Sequence, residues 1–464
     1  MIAAAPILVT GASGYIGGRL VPVLLERGYR VRVLTRDAAK VRSKAWSAQV
    51  ELVIGSADDP AALHRALTGV AVAYYLVHSM DGNGDFVARD RELAKSFAAA
   101  ARATGVSRIV YLSGLHPTGE LSSHLGSRVE VGRILLDSGV PTAVLQAGVV
   151  LGAGSASFDM LRHLTERLPA MLAPKWLRNR IQPIAIADVL HYLAAAAELP
   201  AEVNRTFDIG GPDVLTYAEM IAGYARVAGI RGPLVLTVPV LTPRLASHWV
   251  GFVTPVRAGI ARPLVGSLVH EAVAAEDDLA RLVSEPPHGR TPFEAAIRLA
   301  VADVDPHRWG RTALRVGAMT AGCALIGSVL TDSRSQWYQR LSKPSWQPPA
   351  AAFPIVWTSL FAAIFVAATA TIADAEETGS TETARRFEAA YLANLALNAA
   401  WSAVFFRLRS PRAATVVAAA LAASAGGLAA QSAPLGKGKA AAFAGYAAWC
   451  TFATALSAAI AGRN

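Results

Sequence analysis

Short apolar runs alternate with amphipathic stretches over the first 300 or so of the 464 residues. A chain that alternates short buried strands with helices predicts a doubly wound parallel sheet of the α/β class. The strand-like runs fall at 7–10, 30–35, 51–54, 70–77, 108–112, 141–145 and 206–209.

The later part of the chain carries longer apolar runs without charged residues. A helix needs about 20 apolar residues to cross the hydrocarbon layer, and four of the runs approach that length. The first run is shorter, and Arg315 can extend it by snorkelling. A buried alanine-rich bundle is the alternative, but charges that lie only between the runs favour five spans. The runs cover 316–331, 353–373, 389–406, 413–436 and 440–462.

The fold class predicted is therefore an α/β doubly wound parallel sheet of the Rossmann type, followed by an all-α five-helix transmembrane bundle. The domains are predicted at 1–302 and 312–464, with a linker at 303–311 where acidic residues and a proline interrupt the apolar pattern. The start of the chain has the pattern of a buried strand and lacks that of a signal peptide.

The charge balance changes this picture little. Lys and Arg number 44 against 34 Asp and Glu, for a net charge of +10. Such a balance can indicate nucleic acid as a partner, but the basic residues are scattered, so no nucleic acid is expected. The only cysteines, Cys323 and Cys450, fall in predicted spans. A disulfide framework is therefore absent from the prediction, and a cytoplasmic first domain is expected.

Glycines follow the first strand with the spacing of a dinucleotide-binding loop. The sequence GASGYIG at 11–17 lies between a strand and a helix, and that context makes the pattern specific. The first glycine permits a tight turn, the second lets the backbone approach a pyrophosphate, and the third lets helix and strand pack closely. The helix N-terminus would face the diphosphate; a tight turn without a ligand is the alternative. The loop's cofactor-binding candidates are Gly11, Ser13, Gly14, Tyr15, Ile16 and Gly17.

The residue after the second strand bears on which dinucleotide binds. An acidic residue about 20 positions beyond the last glycine would bind a free ribose 2′-hydroxyl. Arg36 stands there instead, and its guanidinium suits a 2′-phosphate. Asp37 follows immediately and argues the other way, but it lies past the strand end. NADP is predicted, with NAD as the alternative.

Several motifs in the first domain resemble the atypical short-chain dehydrogenase/reductase superfamily, near its NmrA-like branch. They stand at 10–17, 74–80, 109–115, 182–189 and 208–212, so the likeness covers about residues 1–300. The resemblance implies an NAD(P)-binding, oxidoreductase-like domain. In relatives, the glycine that here precedes Ser56 is often followed directly by an Asp that contacts adenine. In this sequence Asp58 is expected to take that role. His78 lies in one of the matching motifs, so Asp58 and His78 join the cofactor-binding candidates.

The superfamily's active site uses a Ser, plus a Tyr and a Lys spaced four apart on a helix. Ser113 stands at the end of the right strand, but His124 and Arg128 occupy the helix in place of Tyr and Lys. An imidazole can act as acid or base near neutral pH, whereas arginine can bind a ribose or a phosphate. These three residues are the catalytic candidates. The alternative is that they only anchor the cofactor or cap the helix, so whether the domain is an enzyme stays open.

The region 231–270 is apolar and rich in proline. It can line a pocket for an apolar substrate or lie against the bilayer. Ordinary core packing is the third interpretation.

Tryptophans and prolines crowd the segment 337–357, between the first two predicted spans. With the patterns at 394–406 and 446–456, it resembles the TspO family of tryptophan-rich membrane sensors over 312–464. The resemblance implies a membrane receptor for porphyrin, sterol-like or isoprenoid molecules, and dimers formed through the spans. For Trp337 and Trp346, anchoring at the membrane interface is the alternative. The ligand-binding candidates are Trp337, Trp346, Trp357, Asn398, Trp401 and Trp449.

Helical spacing supports a polar face in the third span. Tyr391, Asn394, Asn398 and Trp401 recur at i, i+3, i+7 and i+10, so they share one face. Asparagine is costly toward lipid, so this face is expected to look into the bundle.

Two hypotheses for the whole chain follow, and a third possibility is that the two domains act independently, without coupling. The first is a membrane-anchored oxidoreductase-like protein whose bundle binds a hydrophobic ligand. The second is a non-catalytic NADP(H) sensor coupled to a membrane receptor or transporter for a tetrapyrrole or sterol. Basic residues are equal in number on the two predicted sides of the membrane, so charge gives no orientation. An inner-membrane protein with a cytoplasmic first domain is expected, because NADP is cytosolic.

Overall fold

The computed structural model describes residues 5–78, 86–116, 119, 121–238, 254 and 258–464. Contacts divide the chain into two compact units, Met1–Asp305 and Pro306–Asn464. The division falls inside the predicted linker.

Seven parallel strands form the central sheet of the first unit. Their order is β11-β6-β5-β4-β1-β2-β3, with reversal of the strand order between β1 and β4. Six further short strands pair as β7–β10, β9–β12 and β8–β13. The strands are β1 (Ile7–Thr10), β2 (Val31–Thr35), β3 (Glu51–Ile54), β4 (Val72–Tyr75), β5 (Arg108–Gly114), β6 (Thr142–Ala147), β7 (Val150–Leu151), β8 (Ala170–Pro174), β9 (Arg180–Ile181), β10 (Ile184–Ala185), β11 (Arg205–Ile209), β12 (Leu215–Thr216) and β13 (Leu234–Val238).

Helices cover both faces of this sheet, which is why its strands are apolar on both sides. One face packs with residues such as Leu20 and Leu24, the other with Phe97 and Leu135. The helices are α1 (Tyr15–Glu26), α2 (Ala38–Arg42), α3 (Pro60–Leu67), α4 (Phe86–Ala103), α5 (Ser123–Leu136), α6 (Ala156–Arg167), α7 (Ile186–Ala195), α8 (Tyr217–Ala228), α9 (Ala258–Ser267), α10 (Asp278–Leu282) and α11 (Phe293–Ala300).

A second core lies beside the sheet. It joins α6, α8, α9 and α11 to the β8–β13 ribbon through residues such as Phe158, Tyr224 and Phe293. Local signals fix its helices: Thr216 and Glu219 form a capping box at the start of α8, and Gly229 ends that helix at φ +66°. Of the region 231–270, residues 239–253 and 255–257 lie outside the described residues, so Trp249 and its neighbours are not placed.

Five long helices and one short helix form the second unit. Each long helix has the length and hydropathy to span a membrane, as predicted. The first begins at Arg308, eight residues before the apolar run, so its 23 residues suffice without snorkelling. The helices are α12 (Arg308–Leu330), α13 (Gln336–Arg340), α14 (Ala352–Glu377), α15 (Thr381–Ser402), α16 (Pro411–Ser432) and α17 (Lys437–Ala461), with a π-helical turn at Ala403–Arg407.

Ion pairs gather at the end of the bundle where α12 begins. Arg315 bonds both Glu376 and Glu388, and the ammonium of Lys439 pairs with Asp374, with both side chains about 15% exposed. These charges lie at helix ends rather than mid-span. They therefore tie the starts of α12, α15 and α17 to the end of α14 without placing charge at the centre of the spans.

Candidate functional site

The glycine-rich loop lies where the strand order reverses, the usual ligand crevice of such sheets. Gly11 has φ +70°, and a Cβ there would collide with the backbone oxygen of Leu76. A Cβ at Gly17 would lie 2.6 Å from the oxygen of Gly11. Helix α1 starts after Gly14 without a side-chain cap, so its first N–H groups face the crevice unpaired by a side chain. This cradle fits a pyrophosphate.

Tyr15 turns its side chain away from that role. Its ring lies under the Arg19 guanidinium, 4.1 Å from ring centroid to Cζ, and its hydroxyl packs on Gly152. Burial raises the pKa of Tyr15 to about 12. Arg19 also donates to the carbonyl of Ala153 at 2.7 Å, so it holds the β7–α6 connection. The Tyr15 side chain therefore packs against the β7–α6 connection.

Arg36 is exposed at the carboxyl end of β2, the position that the sequence predicted for it. The neighbouring Asp37 is engaged as the N-cap of α2, accepting from the backbone of Ala39 and Lys40. Asp58 follows β3 close enough to Arg36 for their charges to interact, and a hydrogen bond from Ser56 is the main cause of its lowered pKa. Arg36 and Asp58 therefore border the same end of the crevice.

A chain of hydrogen bonds joins three elements on the other side of the crevice. His78, after β4, contacts the Asp90 carboxylate of α4 through Nδ1 at 2.8 Å. Its Nε2 lies 3.2 Å from Nδ1 of His124 on α5. Asp90 is 3% exposed and His124 7% exposed, so the chain is buried. Ser127 also donates to Asp90, at 3.4 Å.

Both imidazoles are neutral near pH 7. Burial, the Arg128 charge and His78 together lower the pKa of His124 to about 3. Burial likewise lowers the pKa of His78, although its hydrogen bond to Asp90 opposes the shift. Neutral imidazoles each carry one donor and one acceptor nitrogen, so the three groups can pass protons along the chain by exchanging tautomers.

Ser113 and Arg128 flank this chain. Ser113, on β5, has a buried hydroxyl without a hydrogen-bond partner in the described part of the chain. Arg128 donates to the carbonyl of Leu112 at 2.9 Å, which holds it against the same strand. Its buried Nε has no partner among the described residues. A ribose or substrate oxygen can satisfy both groups.

The structure thus brings His78 and His124 together, with Arg128 and Ser113 beside the same strand, and it adds the buried Asp90, which sequence reasoning missed. The signal was a lone carboxylate on a helix face that otherwise packs through Leu93, Ala94 and Phe97. A buried acid in such a pattern requires a partner.

A separate cavity of about 350 Å³ opens at the carboxyl end of β11, beside Gln182 and Arg290. Its carboxylates serve the backbone: Asp208 accepts from Ala275, and Glu276 accepts from Asp208 N–H at 2.7 Å. These bonds attach the 274–278 segment to the sheet edge.

Five tryptophans of the second unit pack on other aromatic rings. Trp346 packs on Phe452, Trp449 on Phe353 and Phe452, and Trp357 on Tyr446. Trp337 and Trp401 both contact Phe405, on which Trp401 stacks at 5.3 Å between ring centroids. Phe353 and Phe452 belong to the same apolar cluster as Phe405. Lys343 lies over the Tyr338 ring at 4.1 Å.

The polar face of the third span looks into the bundle. Asn398 donates to the Tyr446 hydroxyl at 3.1 Å, and Tyr391 bonds the Thr320 hydroxyl at 2.7 Å. Asn394 is fully buried and reaches the Leu421 carbonyl at 3.5 Å. Trp401 donates to Ser457 at 3.3 Å. These bonds cross between helices, as expected for polar residues in spans.

Fold and site together define a Rossmann-type NAD(P)-binding, reductase-like domain joined to a multi-pass membrane unit. Residues 4–231 match the NmrA-like family, and residues 316–463 match the TspO/MBR family. Each unit thus carries the match to one of the two families.

Individual proteins likewise match one unit or the other. The chain is 26% identical over 235 residues to a ceramide reductase of Caulobacter vibrioides, covering 49% of this chain and 72% of that protein. It is 38% identical over 95 residues to a tryptophan-rich sensory protein of Cereibacter sphaeroides, covering 20% of this chain and 53% of the relative. In fold it resembles the triphenylmethane reductase of a Citrobacter species complexed with NADP(H), with a TM-score of 0.50, 18% identity, and coverage of 63% and 99% of the two chains.

Proposed function

We propose that the chain is a membrane-anchored, NADP(H)-dependent reductase for a hydrophobic substrate, with a membrane unit that binds a porphyrin or a similarly planar hydrophobic ligand. The observation that carries the first part is the buried chain Asp90–His78–His124 beside the crevice of the glycine-rich loop. A reductase needs a route for one proton to the substrate oxygen, and this chain supplies one.

NADP(H), when bound, supplies or removes the hydride. The residues that would hold it are the backbone from Gly11 to Gly17, with Arg36 at the 2′-phosphate and Arg128 at a ribose. Arg36 favours NADP over NAD because the neighbouring acid, Asp37, is engaged in capping α2.

Proton transfer can then run through neutral groups. In the reducing direction, the Nε2 proton of His124 moves to the substrate oxygen, the Nε2 proton of His78 passes to Nδ1 of His124, and the carboxyl proton of Asp90 passes to Nδ1 of His78. The Asp90 carboxylate that remains takes up its next proton from solvent. The reverse sequence returns the proton to Asp90. No imidazolium forms, so the low pKa of His124 is no obstacle.

Turnover of the full chain in lipid nanodiscs tests this role. NADPH oxidation is followed with a long-chain aliphatic ketone as probe. His124→Ala should abolish oxidation while leaving NADPH affinity within about twofold, because loss of a general acid–base group costs roughly 10²–10⁴-fold. His64→Ala, at an exposed site on α3, is the control. Equal turnover in both variants would contradict the reductase.

A sensor of the NADP(H) state is the second candidate. Its supporting observation is Arg128, which stands in place of the superfamily's lysine. Arginine keeps its proton, so it cannot tune proton transfer by losing that proton. NADPH binding without oxidation of the ketone, together with a change in porphyrin affinity when NADPH is saturating, would favour this candidate.

The ligand role of the membrane unit is supported by Trp449. Its indole N–H is buried without a partner in the described residues, and its ring packs on Phe353. A ligand acceptor there would satisfy a donor that is otherwise costly to bury. Protoporphyrin quenching of tryptophan fluorescence is the test. Trp449→Phe should weaken binding about fivefold, the equivalent of one hydrogen bond. Trp401→Phe should weaken it less, because the Trp401 indole N–H already donates to Ser457; the reverse ranking would refute this site.

For the location, we propose an inner membrane with the first unit in the cytoplasm, where NADP(H) is available. A homodimer through the spans is proposed from the family resemblance alone. Protease protection of the first unit in inverted and right-side-out vesicles, and crosslinking in the membrane, test the two statements.

A further inference from the structure

We propose that the outward face of the β8–β13 ribbon, formed by Leu172, Leu234 and Leu236 and called here the leucine face, contacts the lipid surface of the membrane that the chain spans. This contact is independent of the catalytic role proposed above. It adds a lipid-binding surface to the first unit.

The ribbon is apolar on both sides. Its strands are parallel, with Leu234 opposite Ala170 and Leu236 opposite Leu172. Met171 and Val235 point inward to the second core. The alternate leucines point outward and are 61%, 62% and 49% exposed at Leu172, Leu234 and Leu236.

A parallel ribbon with one solvent face is expected to carry polar residues there. Three exposed leucines on adjacent strands instead form a continuous apolar patch, of the kind that marks a protein or membrane contact. Single exposed leucines elsewhere need no such explanation.

The charges beside the leucine face suit an anionic lipid surface. The stretches 168–180 and 230–238 contain four basic residues and no acidic one. Arg180 is paired with Glu271, whereas Lys175, Arg178 and Arg231 are exposed. Apolar residues flanked by cations are typical of surfaces that insert at the headgroup level.

The short connection between the two units keeps the first unit close to the membrane that the second unit spans. Helix α11 ends at Ala300 and α12 begins at Arg308. The seven intervening residues reach at most about 25 Å when extended, so lipid is always near the first unit. Tethering raises the effective concentration of the surface, and a weak apolar contact is then enough for docking.

Lipid quenching of a fluorophore tests the proposal in the full chain. Leu236→Cys is labelled in nanodiscs of phosphatidylcholine and phosphatidylglycerol that contain lipids spin-labelled near the headgroup. The native Cys323 and Cys450 are buried, which directs the label to the new cysteine. Ile54→Cys is the matched control, because Ile54 is a strand residue 55% exposed at the far edge of the seven-stranded sheet.

The label at Leu236→Cys should be quenched at least about threefold more than that at Ile54→Cys, as for a surface in contact with headgroups. In the same discs, Lys175→Glu with Arg178→Glu should reduce this difference. Equal quenching at the two sites would overturn the proposal. So would disulfide crosslinking between two copies at Leu236→Cys without lipid quenching, which would assign the leucine face to a second copy of the chain.

Discussion

The two units bury polar groups in different ways. The first encloses ionisable ones: Asp90 bonds His78, which bonds His124. The core of the second encloses neutral ones, such as the Asn398 amide on the Tyr446 hydroxyl. Ionisable groups in contact can exchange protons and respond to pH, whereas amide and hydroxyl pairs only fix the positions of helices. The proposed proton transfer therefore depends on the first unit, and the proposed ligand binding depends on the second.

The largest expected effect is at the glycine-rich loop. Gly11→Ala combines a left-handed backbone, φ +70°, with a collision against Leu76. NADPH affinity should fall by more than about 100-fold, or the first unit should fail to fold. Gly28→Ala is the control, because Gly28 has φ +83° and open space around it. Equal losses in fluorescence titrations of the two variants would show that backbone strain alone is responsible.

Next in size is the loss of the terminal acid. Asp90→Asn preserves shape but removes the carboxylate that receives or supplies the proton. Turnover should fall about 100-fold with little change in NADPH affinity. Asp37→Asn, in a capping position on α2, should leave turnover within about twofold, because asparagine also caps helices well. Unchanged turnover in Asp90→Asn would break the assignment of proton transfer to this chain.

Acid should destabilise the first unit before the second. The pKa of His124 is about 3 in the folded chain, and those of His78 and His163 are also lowered by burial. The unfolded chain binds these protons below about pH 6.5, whereas the folded chain resists them. Stability should therefore fall as the pH drops from about 6.5 toward 4, by about 1.4 kcal/mol per pH unit for His124.

The second unit contains one histidine, His307, which is exposed and precedes α12, so its helices have no buried histidine to protonate. Denaturant unfolding, followed separately by a label in each unit, measures the difference between pH 7.5 and 4.5. His124→Gln should make the free energy of unfolding of the first unit depend less steeply on pH. A steeper loss of stability in the bundle than in the first unit would contradict the comparison.

The smallest effect is expected from a neutral pair in the bundle. Tyr446→Phe removes the acceptor of the Asn398 amide, and the free energy of unfolding should fall by about 1 kcal/mol. Ser359→Ala is the control, since Ser359 is exposed and bonds only within its own helix. Steric-trap unfolding in bicelles resolves this difference. No change in Tyr446→Phe would mean that the amide finds another partner.

Much of this arrangement could be predicted from local pattern. The glycine spacing, the strand runs and the five spans each depend on a short stretch of sequence. The polar face of α15 followed from helical periodicity. The link between His78 and His124 could not be predicted in this way, because their contact depends on how α5 packs against β5 and α4, near the end of β4. Asp90 was missed for the same reason.

The tryptophans show a further limit. Helical spacing placed Trp401 on the polar face, but it gave no means to predict which aromatic rings of other elements lie beside it. In the structure Trp337 packs on Phe405, the ring on which Trp401 also stacks. Such neighbours depend on tertiary contacts that no single-helix pattern contains.

The π-helical turn at Ala403–Arg407 has a consequence for how the third span can vary. Such a turn holds one residue more than the α-helix around it, and the extra residue rotates everything beyond it by about 100° relative to the preceding part. The span can therefore lose one residue here and return to a regular helix, while its buried start around Asn394 keeps its neighbours. The cost falls on the end, where Phe405 and Phe406 would face elsewhere. The turn is thus the place where the length of this protein can change by a single residue and redirect one aromatic group without disturbing the polar centre of the bundle.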